Sequence, residues 1–589
     1  MKCLIWSGLF FLSVSWLFFI PIFNSPNSEI GVFLLAVGIL CNTIGLQKSK
    51  TVVTDKKYLM LFPPLLISFY LIHYPYNIGL LVLMLGLFLH FIVEYLSKSK
   101  KIDAIPIGMS FSGIILMLQA GFFPIYAIFV SHGHRVDFLS PIISMITNLF
   151  GLNTAVSHGI VFVQTFQQVY PFTTTWEKLG FFPWFNMLIG SLLIIFLMSR
   201  KRMIFLYVIG FFIIGIVYFI LRYVFFIYIF SHTMNLSIFW NPFYLLLSFI
   251  PLTLLLTKLF PLDDVRIDFD FLKYYRLNRS HILTIVMVFL FLFSTIGVFA
   301  FQDPGNKKSG RILIDEFHSE WEDTTKALDK EWYGVLSTYN YYSWAEWLDH
   351  YYSVSRNTNK TLTTELLNDY DILILKCPTN GYSDKEIKDI TLFVENGGGL
   401  FLIGDHTNVF GMNTYLNQIS EEFGIKFKTD ATYELGTGEM STFKPNNMFL
   451  HPIVQHIEEF NFLTSCTLQA PLNSENVIIG NKIMSEPGTY STENFFRESI
   501  NTPECEYGLL LQATSLKYGK GRVVAFSDST CFSSFCVFTD GYKEFSLGAI
   551  DYLNRYNIYS YINAAFSGVA LITFFGVIYL LKKDKKAKI

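Results

Sequence analysis

Residues 366–406 read LLNDYDILILKCPTNGYSDKEIKDITLFVENGGGLFLIGDH. Within them DILILKCP is a short apolar run closed by a proline, the pattern of a strand covered on both faces. SDKEIKDITLFVENGG predicts a helix: Ser383 stands at the N-cap, Glu386 completes a capping box, Ile387, Ile390 and Val394 share one face, and Gly397 to Gly399 stop it. GGLFLIGD then predicts a second strand, so the stretch is a βαβ unit. Outward from it, RILIDE at 311–316 and GRVVAFSD at 521–528 repeat the texture, with NVIIG at 476–480 and YGLLLQAT at 507–514 between them. The expectation is an α/β domain over residues 302–556 with a mostly parallel sheet.

The rest of the chain is built differently. Of its 589 residues, 52% are hydrophobic, 17% aromatic and only 15% charged, a balance that belongs to the membrane class. Apolar runs long enough for a hydrocarbon core of about 30 Å fall near 3–23, 29–46, 58–74, 77–96, 105–130, 183–199, 203–230, 238–260, 281–301 and 558–581, ten in all. Lysines and arginines collect in alternate gaps: Lys48, Lys50, Lys56 and Lys57; Lys98, Lys100 and Lys101; Arg200, Lys201 and Arg202; the stretch from Arg266 to Arg279; and KKDKKAK at the C-terminus. Under the positive-inside rule these gaps and both termini face the cytoplasm, and 302–556 lies outside. The first run has no small-residue cleavage site and reads as a retained anchor.

The expected plan is a nine-span membrane part at 1–301, an extracytoplasmic α/β domain at 302–556, and a last span with a basic tail at 557–589. It sits in a plasma membrane whose bilayer is the first partner. A formal net charge of -2 offers no basic field for nucleic acid. The seven cysteines, at 3, 41, 377, 466, 505, 531 and 536, form no CxxC pair, which argues against a zinc ribbon or disulfide framework; Cys531 and Cys536 are near enough in sequence to pair.

Between the fifth and sixth runs, residues 131–182 are half apolar and read as an interfacial or re-entrant helix. The seventh run contains YFILRYVFF, which buries Arg222, and His232 follows just beyond it. A charge at membrane depth is costly, so Arg222 is a candidate functional residue, or an arginine snorkelling to the headgroups. The order of these pieces over 137–255 resembles the exosortase and archaeosortase family of membrane transpeptidases. The resemblance implies a site made of a Cys, an Arg and a His, with Arg222 and His232 as the last two. The Cys has no counterpart: VYPFTTTWEKLG offers Thr173, Thr174, Thr175 and Glu177, so thiolate attack is replaced by a chemistry using Glu177 or is lost.

Across 311–555, the 366–406 stretch followed by YGKGRVVAFSDSTCFSS and FSLGAIDYLNR resembles the class I glutamine-amidotransferase-like fold, in the branch of gliding-motility-type transporter accessory domains. The resemblance implies a flavodoxin-like sheet. It also implies a nucleophilic Cys on the turn after GGLFLIGDH, where this chain has Asp405 and His406, so glutaminase activity is not expected.

Ligands of open α/β sheets bind outside the carboxyl ends of the strands. Those ends carry Asp315, Glu316 and His318; Cys377 and Thr379; Asp405, His406, Thr407 and Asn408; and Asp528, Ser529 and Thr530, with His451 able to swing in from a loop. Asp405, His406, Glu316 and His318 are the catalytic candidates, and Asp315, Asn408, Asp528 and Ser529 the ligand-binding ones. Asp315, His318, Asp405 and His406 form a possible divalent-metal set. Against this, FSDST is also a good helix N-cap, which gives Asp528 a purely structural reading. The aromatics from Trp321 to Tyr352, including Trp332, Tyr333, Tyr341, Trp344 and Trp347, suit a glycan face or a lid packed on the spans. The leading expectation is an extracytoplasmic domain that binds a surface glycan or peptide and works with membrane partners in export or assembly. A membrane-anchored hydrolase at the strand ends and a transporter subunit are the alternatives; no P-loop is present for ATP.

Overall fold

The computed structural model describes residues 2–19, 28–46, 62–96, 104–123, 135–198, 204–239, 241–259, 279–325, 339–434, 442–443, 451–490, 505–559 and 561–587. Most of the basic gaps that carry the orientation, together with Trp332 and Tyr333, lie outside the described residues.

The first half holds helices α1 (Lys2–Phe19), α2 (Ser28–Leu46), α3 (Phe62–Leu71), α4 (Ile78–Leu96), α5 (Ala104–Gly121), α6 (Ser140–Leu149), α7 (Phe181–Met198), α8 (Ile204–Thr233), α9 (Pro242–Leu259) and α10 (Arg279–Ala300). Among the described residues five helices, α2, α5, α8, α9 and α10, are long and apolar enough to cross a membrane. The other expected spans are apolar helical stretches of 10–17 residues, so the expected ten crossings shrink to five by this measure. Small residues let these helices approach closely: a Cβ on Gly108 would stand 2.2 Å from the Thr43 hydroxyl. Gln119 ties three helices together, accepting from Trp16 Nε1 at 2.8 Å and donating to Ser13 Oγ and the Asn186 carbonyl, both at 3.0 Å.

Between α5 and α7 the chain folds α6 against a three-stranded antiparallel sheet, β1 (Thr154–Ser157), β2 (Ile160–Gln164) and β3 (Val169–Thr173). This stretch therefore holds a helix, together with a small sheet that the sequence did not suggest.

The α/β domain contains β4 (Arg311–Asp315), α11 (Tyr342–Asp349), β5 (Ser353–Asn357), β6 (Ile372–Lys376), α12 (Asp384–Glu395), β7 (Gly399–Ile403), α13 (Met412–Ser420), β8 (Asp430–Glu434), β9 (Glu475–Pro487), β10 (Glu506–Tyr518), β11 (Gly521–Phe526) and α14 (Tyr542–Leu553). Its sheet runs β8-β9-β10-β11-β7-β6-β4-β5. The β11, β7, β6, β4 and β5 half is parallel, as expected, but β8 to β11 pair antiparallel, so the sheet is mixed and not mostly parallel. The inner parallel strands β4, β6, β7 and β11 are buried on both faces and sort their residues by face. Ile312, Ile314, Ile372, Ile374 and Phe401 pack with Trp344 of α11 and Ala549 of α14, while Leu313, Leu373, Leu375 and Leu400 pack with Ile390 and Val394 of α12. The capping box at Ser383 and Glu386 is present. Tyr341 and Trp344 are 0% exposed and belong to this core, not to a membrane-facing lid.

The amino ends of the parallel strands meet the two ends of the domain. Residues 306–307 pair with 555–556, just inside α10 and the C-terminal helix α15 (Ile562–Ala587), which pack on each other. Arg522, 1% exposed, locks this junction by donating to Asn557 Oδ1 at 2.8 Å, the Asp303 carbonyl at 3.1 Å and the Tyr552 carbonyl at 3.2 Å. Asp303 in turn accepts from the backbone N–H groups of Ile558 and Tyr559, both at 3.0 Å. Removing the guanidinium leaves buried carbonyls without donors. Arg522→Ala is expected to cost about 2–4 kcal/mol, read as a lower midpoint for unfolding of the α/β domain in the detergent-purified protein.

Candidate functional site

The carboxyl ends of the parallel strands hold two separate clusters. In the first, His318 donates or accepts at both ring nitrogens, Nδ1 to Asp315 at 2.8 Å and Nε2 to Glu386 at 3.3 Å, with its ring 4.3 Å from that of Tyr382. Asn357 Nδ2 donates to the other oxygen of Asp315 at 2.8 Å. Glu386 is also the capping-box residue of α12, which pins the cluster to that helix. Glu316 turns away and accepts from the Thr324 N–H at 2.5 Å.

The second cluster joins Asp405, Asp528 and Ser529. Ser529 Oγ donates to Asp405 Oδ2, and the His406 N–H donates to Oδ1 at 2.6 Å. Asp528 accepts from the N–H groups of Leu463 and Thr464 at 2.5 and 2.9 Å, which is a loop lock; its side chain makes no cap bond to the following turn. Thr464 Oγ1 bridges the two acids, 3.3 Å from Asp405 and 3.5 Å from Asp528. Burial pushes both carboxyls above their ordinary range. Beside them Glu322, 2% exposed, accepts from Ser533 Oγ at 2.7 Å, and burial pushes it up to about 8. The buried Lys376 ammonium is nearby, donating to the Trp321 carbonyl at 2.9 Å. Burial holds His406 down at about 4, so its ring is neutral near pH 7. Non-glycine residues with positive φ gather here: Glu322 (59°), Cys377 (46°), Thr407 (47°), Asn408 (54°) and Phe410 (50°). Such strain of roughly 1–3 kcal/mol each persists only where the surroundings over-determine the backbone. The Cys377 thiol, for all its elbow-like φ, is held protonated by burial.

The metal set Asp315, His318, Asp405 and His406 is divided between these clusters, and His318 spends both nitrogens on carboxylates. Among the described residues no group of three or more His, Cys, Asp and Glu side chains is arranged to hold a metal ion. His451 lies elsewhere, on Ser515 (2.9 Å) and Glu475 (3.2 Å). The cysteines, Cys531 and Cys536 included, are free thiols. In the helical half, Arg222 donates from Nε to Ser248 Oγ at 2.7 Å and from Nη1 to the Lys178 carbonyl at 3.2 Å. His232 is exposed and bonded to the Tyr228 carbonyl at 2.9 Å. Ten residues of helix, about 15 Å of rise, separate Arg222 from it, so the two do not form one site. Glu177 instead faces the α/β domain, accepting from the Leu509 N–H. Gly508 makes this approach possible, since a Cβ there would stand 2.9 Å from the Glu177 carboxylate.

A third feature was not expected. A polar groove of about 640 Å³ runs along α13 and β8 and is lined by Arg135, Thr414, Asn417, Lys426, Lys428, Asp430, Gln469 and Glu506, among others. Arg135 belongs to the segment before α6 and pairs with Glu506 of β10, which also takes Lys428 at 3.1 Å. The groove therefore has walls from both halves of the chain. Lys376, a charge inside the apolar run ILILK, was a readable sign of the buried acids; nothing in the sequence announces Arg135 with Glu506.

A family model described as the IFT52 GIFT domain matches residues 332–450, well under half of the chain. No curated protein matches. Similar solved structures include the mmIFT52 N-terminal domain (13% identity, 42% of this chain and 99% of that one, TM-score 0.32). They also include a cytoplasmic protein from Salmonella typhimurium LT2 (17%, 41% and 98%, TM-score 0.28). A third is a ThuA-like protein from Bacteroides uniformis (11%, 41% and 90%, TM-score 0.24).

Glu322 gives the acid cluster a pH signature. Its folded value lies above the ordinary 4.5, so it adds stability below pH 4.5 that is lost as pH rises through about 8. Glu322→Gln, which keeps an acceptor for Ser533, is expected to be more stable than the parent at pH 8 by about 2–4 kcal/mol, from roughly 1.4 kcal/mol per unit. The gap should shrink toward pH 5 in chemical denaturation of the full-length protein.

Proposed function

We propose that this chain is an integral membrane protein that holds an amidotransferase-like domain on the non-cytoplasmic face of the plasma membrane. There the groove between the two halves binds a surface glycan and assists export or assembly of surface material. In this reading the ten apolar helical stretches cross the bilayer, and even parity returns both termini to the cytoplasm. The observation that carries the glycan is the composition of the groove. Arg135, Lys426 and Lys428 face Glu421, Asp430 and Glu506, with Thr414, Asn417 and Gln469 between them. Charges in balance supply donors and acceptors for a neutral, hydroxyl-rich ligand, whereas a strongly charged ligand strands one member of a pair. Walls from both halves make the groove a place where an external ligand meets the membrane part.

A second reading, a hydrolase acting through Asp405 and Asp528, draws on their raised carboxyls beneath strained turns. One experiment separates the two: full-length protein in nanodiscs on an array of cell-envelope glycans and peptides. Glycan capture is expected to weaken about tenfold or more, or about 1.4 kcal/mol, in Arg135→Ala and Glu506→Gln and to survive Asp405→Asn. Cleavage of a bound glycan that Asp405→Asn abolishes favours the hydrolase. Capture of peptides alone, or glycan capture unchanged in Arg135→Ala, removes the groove reading.

A further inference from the structure

Helix α6 buries three hydroxyls beside Ile143 and leaves much of its apolar surface open. Ser140 Oγ donates to the Gly159 carbonyl at 2.6 Å, Ser144 meets Thr154 at 2.8 Å, and Thr147 and Ile143 are 0% exposed. On the opposite side Met145 is 60% exposed and Leu149 80%, with Phe138 (71%) and Phe150 (60%) flanking the helix and Phe166 at the tip of the β2–β3 hairpin 74% exposed. In water this arrangement wastes apolar burial and hides hydroxyls, and a contiguous exposed ridge of this kind marks an interaction surface.

The level of the ridge on α8 identifies its partner. Tyr223 Oη donates to the Thr173 carbonyl at 2.9 Å, and the rings of Tyr170 and Phe172 lie 5.1 and 5.2 Å from that of Phe230. The small sheet thus sits beside the segment Tyr223 to Phe230, about 10 Å of helix. Over that same segment α8 keeps an exposed apolar side, with Phe225 57% and Tyr228 38% exposed, continuous with Phe212 and Val217 lower down. Whatever solvates that side of α8 also reaches the ridge, and the chain is tethered there by α5 before it and α7 after it. We propose that the ridge of Phe138, Met145, Leu149, Phe150 and Phe166 is inserted among the lipids of the outer leaflet. The insertion rests on the membrane topology proposed above but not on what fills the groove. Arg135 is three residues from Phe138, at most about 10 Å of chain, so the groove opens at the bilayer surface.

The test uses the full-length protein with Cys3 and Cys41 replaced by Ser; the remaining cysteines are buried. Single reporters, Leu149→Cys on the ridge, Phe212→Cys on α8 and Lys385→Cys on the exposed side of α12, carry bimane. The protein is reconstituted in phosphatidylcholine vesicles with and without lipid bearing a shallow doxyl group. Loss of fluorescence at Leu149 comparable with that at Phe212, and none at Lys385, is the expected result. Quenching at Phe212 but not at Leu149 overturns the insertion while leaving the membrane topology standing. No quenching at Phe212 overturns both.

Discussion

Four parallel strands with both faces covered leave this domain nowhere to put charge except at its two edges. β6 and β7 are buried at every position, so any ion among them has to be satisfied internally. The amino edge answers with cations. Lys308 donates to the carbonyls of Asp371 and Gly397 at 2.9 and 2.8 Å, and Arg522 gathers the two chain ends around Asp303. Burial holds the Lys308 ammonium down at about 7, a measure of how dry that junction is. The carboxyl edge answers with acids, which share hydroxyl and N–H donors and have Lys376 and His318 among them. Because α10 and α15 leave from the amino edge, the acid-bearing edge is turned away from them. The polarity of the sheet thus fixes which end of the domain carries the acids.

Much of this was legible. Period, caps and glycine stops placed β6, α12 and β7, and the end of RILIDE put Asp315 and His318 among the site candidates, where the two meet. The antiparallel half was not read because apolar pieces such as NVIIG and YGLLLQAT carry no direction; direction is set by the connection. The signal was available in YGKG, a two-residue turn that pairs Tyr518 with Gly521 and puts Gly519 at φ 54°. The acid cluster was half legible. Asp405 and Asp528 stand at strand ends, but Thr464, which bridges them, comes from a segment without a motif, and Glu322 lies beyond Asp315, Glu316 and His318, the residues on which the reading of that strand end rested. The aromatics from Tyr341 to Trp347 suggested a lid because amphipathic rings suit interfaces, whereas the Trp344 Nε1 proton is satisfied inside the core by Ser546 at 2.6 Å. The groove was invisible, since its defining ion pair joins Arg135 to a residue of β10 that only the packed halves bring near.

The loop 405–414 belongs to both candidate regions. Asp405 and His406 sit among the buried acids, while Asn408, held at positive φ, exchanges two hydrogen bonds with Thr414: Nδ2 to Oγ1 at 2.9 Å, and the Thr414 N–H back to Oδ1 at 3.0 Å. Thr414 lines the groove. A strained loop pinned at both ends has few arrangements open to it, so a change at Thr414 reaches Asp405 through backbone that cannot absorb it locally. The same loop carries Phe410, whose ring meets Trp321 at 5.0 Å and Tyr490 at 5.3 Å. Groove wall and acid cluster are therefore joined by one short loop, the first through Thr414 and the second through Asp405.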